Sequence, residues 1–229
     1  MKEIVILSTI GSEILPLLLP KLLEHGVKAD FLLLDGIITE KHKQIVLDRT
    51  KGFFEWPDFF SIEKYNLPAY LVKNHNGEQC LDMLKKLQPD FIINAGTPRI
   101  LKALFLSLAG RGVLNCHPGL LPKYRGCTCP EWSIYNDDEV GATCHFMTEG
   151  IDAGPIVYSE AMPIKKGENY EQVRAKMIYH MVETLAKGAR LVADSEISAR
   201  NLPPQTGDSY FKVIDEISLV EVKEKLAQN

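Results

Sequence analysis

Two polar side chains stand two residues apart at the end of an apolar run. Asn115 and His117 close a segment that begins at Gly112, and a loop rich in Pro and Gly follows. Side chains alternate between the faces of a β-strand, so Asn115 and His117 lie on one face and Cys116 on the other. An imidazole titrates near neutral pH, which makes His117 a candidate for catalysis. Pro118 stiffens the loop, as in loops that hold chemical groups in place.

A carboxylate lies between two glycines in a second segment. Residues 141–157 are predicted to form a strand, a loop bounded by Gly150 and Gly154, and another strand, with Asp152 in the loop. The glycines allow a tight turn or the close approach of a flat ligand. Functional side chains concentrate on such loops. Asp152 is therefore predicted to face a cleft.

Other polar residues support alternatives. Cys127 and Cys129, close to His117, raise the alternative of a zinc site, but the paired Cys-x-x-Cys spacing is missing and no metal is predicted. Arg125 is compatible with a phosphate or substrate ligand and equally with a solvated loop charge. His145 lies on a predicted strand and has no assigned role.

The elements around these segments alternate between strands and helices. Buried strands are predicted at Glu3–Ser8 and Phe31–Leu34, with the helix Glu13–Glu24 between them. The alternation continues through the strand Tyr70–Val72, the helix Gly77–Leu87, the strand Asp90–Asn94, a helix after Pro98 and the strand Gly112–Cys116. This order predicts a Rossmann-like α/β fold, a mostly parallel sheet with helices on both faces. Ligands bind such sheets beyond the carboxyl ends of the strands.

One catalytic domain is predicted over residues 1–195. Its remaining elements are the short helix Pro130–Asn136, the strands Thr143–Met147 and Ile156–Pro163, and the long helix Tyr170–Ala193. Asn169 is the expected cap of the long helix. Residues 196–229 are expected to form a short C-terminal tail. Its amphipathic end, Ile217–Leu226, is predicted to be a packing or homodimer element.

Composition narrows the class of protein. The chain has 229 residues, of which 45% are hydrophobic, a balance typical of globular proteins. The net charge of -4 and the lack of a dense basic run argue against nucleic acid as a partner. No apolar stretch reaches the ~20 residues that span a bilayer, and no export signal is seen at the amino terminus. With five cysteines, an odd number, we expect reduced thiols and a cytoplasmic location.

Together the two segments resemble the formyltransferase family that uses 10-formyltetrahydrofolate. The likeness covers roughly Leu71 to Leu191 and is strongest over residues 141–157. It implies a catalytic triad of Asn115, His117 and Asp152. Two positions depart from the family pattern: Cys144 replaces an aliphatic residue or Thr, and Gly119 replaces a frequent Ser.

The resemblance also implies a mechanism and a co-substrate site. A neutral amine attacks the formyl carbon, Asn115 and protonated His117 stabilise the oxyanion, and Asp152 tunes His117 and relays protons. The pterin ring of 10-formyltetrahydrofolate is expected against a set of backbone and side-chain groups. These belong to Gly96, Arg99, Leu101, Glu149, Gly150 and Ile151.

Several acceptors are known in this family. The short tail, with Tyr210, Phe211 and Lys212, looks more like that of sugar-nucleotide formyltransferases, and this resemblance implies the amine of a nucleotide-linked amino sugar as the acceptor. Glycinamide ribonucleotide is the alternative, although Gly11-Ser12 lacks the Gly-rich phosphate loop of those enzymes. Methionyl-tRNA is disfavoured by the acidic charge and by the lack of room for a further C-terminal domain, and a hydrolase by the lack of an amino-terminal regulatory domain. A non-catalytic folate-binding relative stays open.

Overall fold

The computed structural model describes residues 3–207 and 209–228. A seven-stranded sheet forms its centre, in the order β3-β2-β1-β4-β5-β6-β7. Strands β1 to β5 are parallel to one another, β6 is antiparallel to β5, and β7 is antiparallel to β6. The strands are β1 (Ile4–Ile10), β2 (Phe31–Ile37), β3 (Ala69–Val72), β4 (Phe91–Ala95), β5 (Val113–His117), β6 (Gly141–Phe146) and β7 (Ile156–Ala161).

Helices cover both faces of the sheet. They are α1 (Ile14–Glu24), α2 (Glu40–Thr50), a 3₁₀ helix (Phe59–Tyr65), α3 (Glu78–Leu87), α4 (Ala103–Ser107), α5 (Cys129–Tyr135), α6 (Tyr170–Ala193) and α7 (Glu216–Gln228). One hydrophobic cluster joins the sheet to α1 and α6, and a second joins it to α3 and α4. Ile6 belongs to the first cluster, and Val5 and Leu7 to the second, because strand side chains alternate between faces.

The predicted fold is confirmed, and most elements lie where the pattern of apolar residues placed them. Helix α6 begins after Asn169, whose side chain accepts a hydrogen bond from the Gln172 backbone N–H, while the Gln172 side chain accepts one from the Asn169 backbone N–H. This reciprocal capping box stabilises the helix start. The sequence analysis missed α2 and the 3₁₀ helix. Only Thr50 of α2 is buried, so that helix carries no apolar period to detect.

Helix α6 approaches the sheet closely at one glycine. A Cβ atom on Gly188 would lie 2.3 Å from the Sγ atom of Cys144 on β6. Cys144, one of the departures from the family pattern, is fully buried at this contact. The small pair therefore sets the distance between α6 and β6.

The tail packs onto the rest of the chain. Val222 and Leu226 of α7 are buried in the first hydrophobic cluster, whereas Ile217 is 85% and Val220 55% exposed. Helix α7 therefore packs against the rest of the chain through Val222 and Leu226, whereas Ile217 and Val220 lie on its outer face. Among the described residues, no helix is long and apolar enough to cross a membrane.

Candidate active site

The candidate site lies where β5 ends and β6 leads into the loop before β7. Antiparallel pairing places Asn115 opposite His145 and His117 opposite Thr143. Residues that are 30 positions apart in the chain therefore share one face of the sheet. Asp152 reaches the same place from the β6–β7 loop. The sheet and the β6–β7 loop thus bring Asn115, His117 and Asp152 into one cluster.

His117 lies between two acceptors. Its Nε2 atom is 2.7 Å from the Tyr124 carbonyl oxygen, and its Nδ1 atom is 3.3 Å from Oδ2 of Asp152. The neutral ring donates to the carbonyl and turns a lone pair toward the carboxylate, so only the imidazolium donates to both. Burial lowers the pKa of His117, while the Asp152 charge and the Tyr124 carbonyl oppose that shift. The pair therefore links the protonation of His117 to the charge on Asp152.

His145 is a site residue that the sequence analysis missed. Its Nε2 atom is 3.2 Å from Nδ2 of Asn115 and 3.8 Å from Oδ1 of Asp152. Because Nδ1 donates to the Phe146 carbonyl at 3.0 Å, Nε2 accepts from the Asn115 amide. Burial lowers the pKa of His145 to about 4, so the ring stays neutral near pH 7. The spacing of Thr143 and His145 along β6 was the available signal, but the partner strand was unknown.

The amide of Asn115 is held at both ends. Its Oδ1 atom accepts a 2.9 Å hydrogen bond from Nδ2 of Asn94 on β4, and its Nδ2 atom donates to His145. One N–H of the Asn115 amide is therefore left to bind a ligand in the neighbouring cleft. Such a fixed donor suits an oxygen on which negative charge develops.

Asp152 is placed by its backbone as well as by its partners. It has φ +50°, a left-handed conformation uncommon for residues other than glycine. The Gly126 backbone N–H donates to its Oδ2 atom at 3.1 Å. Its side chain is 14% exposed. The carboxylate is thus both anchored and open to the cleft.

A cleft of about 250 Å³ opens beside Asp152. Its wall contains Asn115, His145 and Asp152, together with the apolar side chains of Ile100 and Met147. Of the six residues predicted to bind the co-substrate, five line this cleft: Arg99, Leu101, Glu149, Gly150 and Ile151. An apolar wall with backbone groups along one edge fits a flat ring that carries hydrogen-bonding atoms. His117 lies behind Asp152 and is 4% exposed.

The sixth predicted residue, Gly96, lies elsewhere. It lines two adjoining clefts, of about 120 Å³ and about 260 Å³, and not the one beside Asp152. The smaller of these also contacts Asn115. Because β4 ends at Ala95, Gly96 stands between the ends of β1 and β5. The three clefts therefore form a row along the carboxyl ends of the strands, with Asn115 lining the first two.

The side chain of Arg99 is directed away from a ligand. Its Nε and Nη2 atoms donate to the Asp35 carboxylate at 2.9 Å and 3.0 Å. Asp35 is fully buried. Burial alone would raise the pKa of Asp35, but hydrogen bonds from Arg99 and the His75 backbone hold it below its ordinary value. The pair with Asp35 thus fixes the Arg99 side chain at the edge of the cleft.

The cysteines near the site do not assemble a metal centre. Among the residues that the structure describes, no group of three His, Cys, Asp or Glu side chains could hold a metal ion. Cys116, Cys129 and Cys144 are buried, and burial raises the pKa of Cys129 to about 12. Buried neutral thiols of this kind pack as small apolar groups.

Gly119 allows the loop after β5 to close on His117. A Cβ atom at this position would lie 2.7 Å from the Tyr124 carbonyl oxygen and 2.9 Å from both Nε2 of His117 and Cβ of Cys129. The second departure from the family pattern is therefore a steric requirement of this loop. Arg125, left open by the sequence, is 8% exposed and bonded to the tail.

An α/β sheet with polar groups at the carboxyl ends of its strands defines a Rossmann-like ligand-binding protein. The chain matches the Formyl transferase family over residues 1–187 and belongs to that family. The family resemblance found in the two segments is thereby confirmed.

Curated relatives include enzymes with different acceptors. The methionyl-tRNA formyltransferase of Thermotoga maritima is 31% identical over 159 residues, which are 69% of this chain and 50% of that protein. The bifunctional polymyxin resistance protein ArnA of Wigglesworthia glossinidia brevipalpis is 32% identical over 136 residues, 59% of this chain and 21% of that protein. The chain thus spans half the length of the first relative and less of the second.

Solved structures share the fold at low sequence identity. Glycinamide ribonucleotide transformylase 1 from Symbiobacterium toebii has a TM-score of 0.65 at 19% identity, covering 91% of this chain and 95% of that one. The formyltransferase PseJ from Anoxybacillus kamchatkensis, solved with UDP-4,6-dideoxy-4-formamido-L-AltNAc and tetrahydrofolate, has a TM-score of 0.56 at 16% identity, covering 98% and 97%. These likenesses show the fold.

Proposed function

We propose that this protein transfers a formyl group from 10-formyltetrahydrofolate to the primary amine of a nucleotide-linked amino sugar. The observation that carries the proposal is the cluster of Asn115, His117, His145 and Asp152 at the junction of the clefts. Membership of the formyl transferase family supports the reaction class. The same proposal includes a cytoplasmic location and no nucleic acid partner.

The cleft beside Asp152 is assigned to the folate. The bound co-substrate supplies an electrophilic formyl carbon. Asn115 donates its remaining N–H to the formyl oxygen as negative charge develops there. Nδ1 of protonated His117 supplies a second donor once its contact with Asp152 is replaced by a hydrogen bond to the formyl oxygen. The distance of 3.3 Å between Nδ1 and Oδ2 of Asp152 is long for a charge-assisted hydrogen bond, so this replacement costs less than the loss of a shorter bond.

Asp152 manages the proton. As the amine nitrogen bonds to the formyl carbon, the amine becomes acidic and gives up a proton to the carboxylate or to a water beside it. When the bond from the formyl carbon to the folate nitrogen breaks, that nitrogen takes a proton by the reverse route. Protonated His117 stabilises the Asp152 carboxylate before it takes up the proton. Charge is thus conserved across the transfer.

The acceptor is assigned to the row of clefts beyond Asn115. The cleft of about 260 Å³ presents the polar side chains of Ser12, Glu13, Thr39 and His42. None of the described residues lining it is Lys or Arg, and Oε1 of Glu13 lies 3.2 Å from Nε2 of His42. The hydrogen bond to Glu13 raises the pKa of His42, so the one imidazolium among these side chains is already paired with a carboxylate, whereas sugar hydroxyls find both donors and acceptors. This favours the sugar part of a nucleotide-linked amino sugar, and not a phosphate group, as the occupant of this cleft.

The test measures tetrahydrofolate release and product mass with the purified chain. The acceptor panel holds nucleotide-linked 3-amino and 4-amino sugars, glycinamide ribonucleotide and methionyl-tRNA. We expect transfer to an amino sugar alone, and loss of transfer with bound folate retained in His117→Asn. The matched control is His25→Asn, a partly exposed histidine paired with Glu183 far from the site. Transfer to one of the other acceptors would show that the proposed substrate is wrong. Turnover by His117→Asn equal to that of the wild type would refute the mechanism.

A further inference from the structure

The C-terminal tail crosses the loop after β5 before it reaches α7. The backbone of Phe211 accepts from the Cys127 N–H at 2.9 Å and donates to the Arg125 carbonyl at 2.8 Å. Between these two bonds, the Gly126 N–H faces Asp152. The tail therefore extends the loop by a short parallel bridge and fixes the direction of the Gly126 N–H, which binds the carboxylate.

Gln205 makes a second connection from the tail. Its Oε1 atom accepts from Nε and Nη2 of Arg125 at 3.2 Å and 3.0 Å. Its Nε2 atom donates to the Asp152 carbonyl at 3.1 Å and to the Gly154 carbonyl. One amide thus joins the loop after β5 to the loop after β6. A primary amide accepts through its oxygen and donates through its nitrogen, so one side chain makes both connections.

The connection ends at the residue that needs external support. Asp152 holds a left-handed backbone, which costs free energy and persists only where its surroundings impose it. Its carbonyl is bound by Gln205 and its carboxylate by Gly126. Both bonds come from groups that the tail holds. The carboxylate position relative to His117 and His145 therefore depends on the tail as well as on the sheet.

We infer that Gln205 is a positioning residue for the transfer reaction, because its amide ties Arg125 to the backbone of Asp152 and Gly154. This rests on the proposed function. Gln205 lies beyond residues 1–187, the part of the chain that matches the family. The C-terminal segment is accordingly a component of the active site of this chain.

The test compares Gln205→Ala and Gln205→Glu in the full chain. The Glu variant keeps an acceptor for Arg125 but cannot donate to the two carbonyls, so it separates the two halves of the connection. We expect kcat to fall ~10–100-fold in both, since small misplacements of catalytic groups have effects of that size. The KM for 10-formyltetrahydrofolate and one tetrahydrofolate bound per chain should be retained.

The matched control is Thr206→Ala, an exposed neighbour on the same segment. If the wild type is active and kcat in both Gln205 variants stays within about twofold of it, the positioning role is overturned and the proposed function stands. A loss of folate stoichiometry that parallels the loss of kcat would show a folding role and overturn it too. Wild type that binds tetrahydrofolate but transfers to no acceptor would overturn the proposed function, and the positioning role with it.

Discussion

Asn115 and His145 stand opposite each other on antiparallel strands, with the Asn115 Nδ2 atom 3.2 Å from Nε2 of His145. The neutral imidazole accepts from the amide and leaves its second N–H for a ligand in the cleft beside Asp152. Asp152 lies on the other side of the same imidazole. His145 is thus the contact that joins two members of the predicted triad.

Replacement of His145 should weaken transfer without emptying the folate cleft. In His145→Ala, the Asn115 amide loses the acceptor that fixes its orientation. We expect kcat to fall by ~10–100-fold, the range that loss of alignment produces. Steady-state kinetics and tetrahydrofolate titration check this. His180→Ala, on the surface of α6 and bonded to the Glu160 carbonyl, is the control. Unchanged kcat in His145→Ala would remove His145 from the mechanism.

The stability of the protein should fall between pH 6.5 and pH 4. The folded state holds His145 neutral with a pKa of about 4, whereas the unfolded chain binds the proton near pH 6.5. The unfolded state therefore binds more protons in this window, so the free energy of unfolding rises with pH and is lost on acidification. The difference between the two pKa values of His145 corresponds to about 3 kcal/mol in the free energy of unfolding.

Urea unfolding at pH 7.5 and pH 5 measures this effect. His117 has a lowered pKa and acts in the same direction. His145→Gln should lose less stability on acidification than the wild type, because the imidazole that resists protonation is gone. An equal loss in both proteins would show that other groups dominate the acid response.

A side chain at position 119 should disturb the loop after β5. Gly119→Ser places atoms against the Tyr124 carbonyl and Nε2 of His117, so the loop must move. We expect a destabilisation of ~1–3 kcal/mol, typical of overpacking, and a loss of kcat beyond that of the folded fraction. Gly119→Ala should behave likewise with a smaller effect. Full activity in Gly119→Ser would mean that the loop adapts without cost.

The contact between α6 and β6 should show coupling. Gly188→Ala introduces a methyl group against Sγ of Cys144 and should destabilise the fold by ~1–3 kcal/mol. Cys144→Gly removes the opposing atoms, so the double variant should recover part of that loss. Urea unfolding of the four proteins of the cycle gives the interaction energy. Additive effects would show that the two residues do not limit the approach of the helix.

Most of the fold was predictable, because buried strands and amphipathic helices carry their own periods. Helix α6 was placed at Tyr170–Ala193, as the structure has it, since its apolar face and its Asn169 cap are both local signals. Helix α2 was not predicted, because its residues are largely exposed and no apolar stripe marks it. Local signals thus decide what can be read without tertiary contacts.

The sequence by itself determined that Asn115 and His117 share a strand face and that Asp152 occupies a glycine-bounded loop, because both facts depend on neighbours in the chain. Only the tertiary structure decided that His145 meets Asn115 and that Gln205 reaches Asp152. A strand shows the same two-residue period whichever partner it takes, and an irregular tail carries no period at all. Long-range pairing, and not local pattern, therefore completes the site.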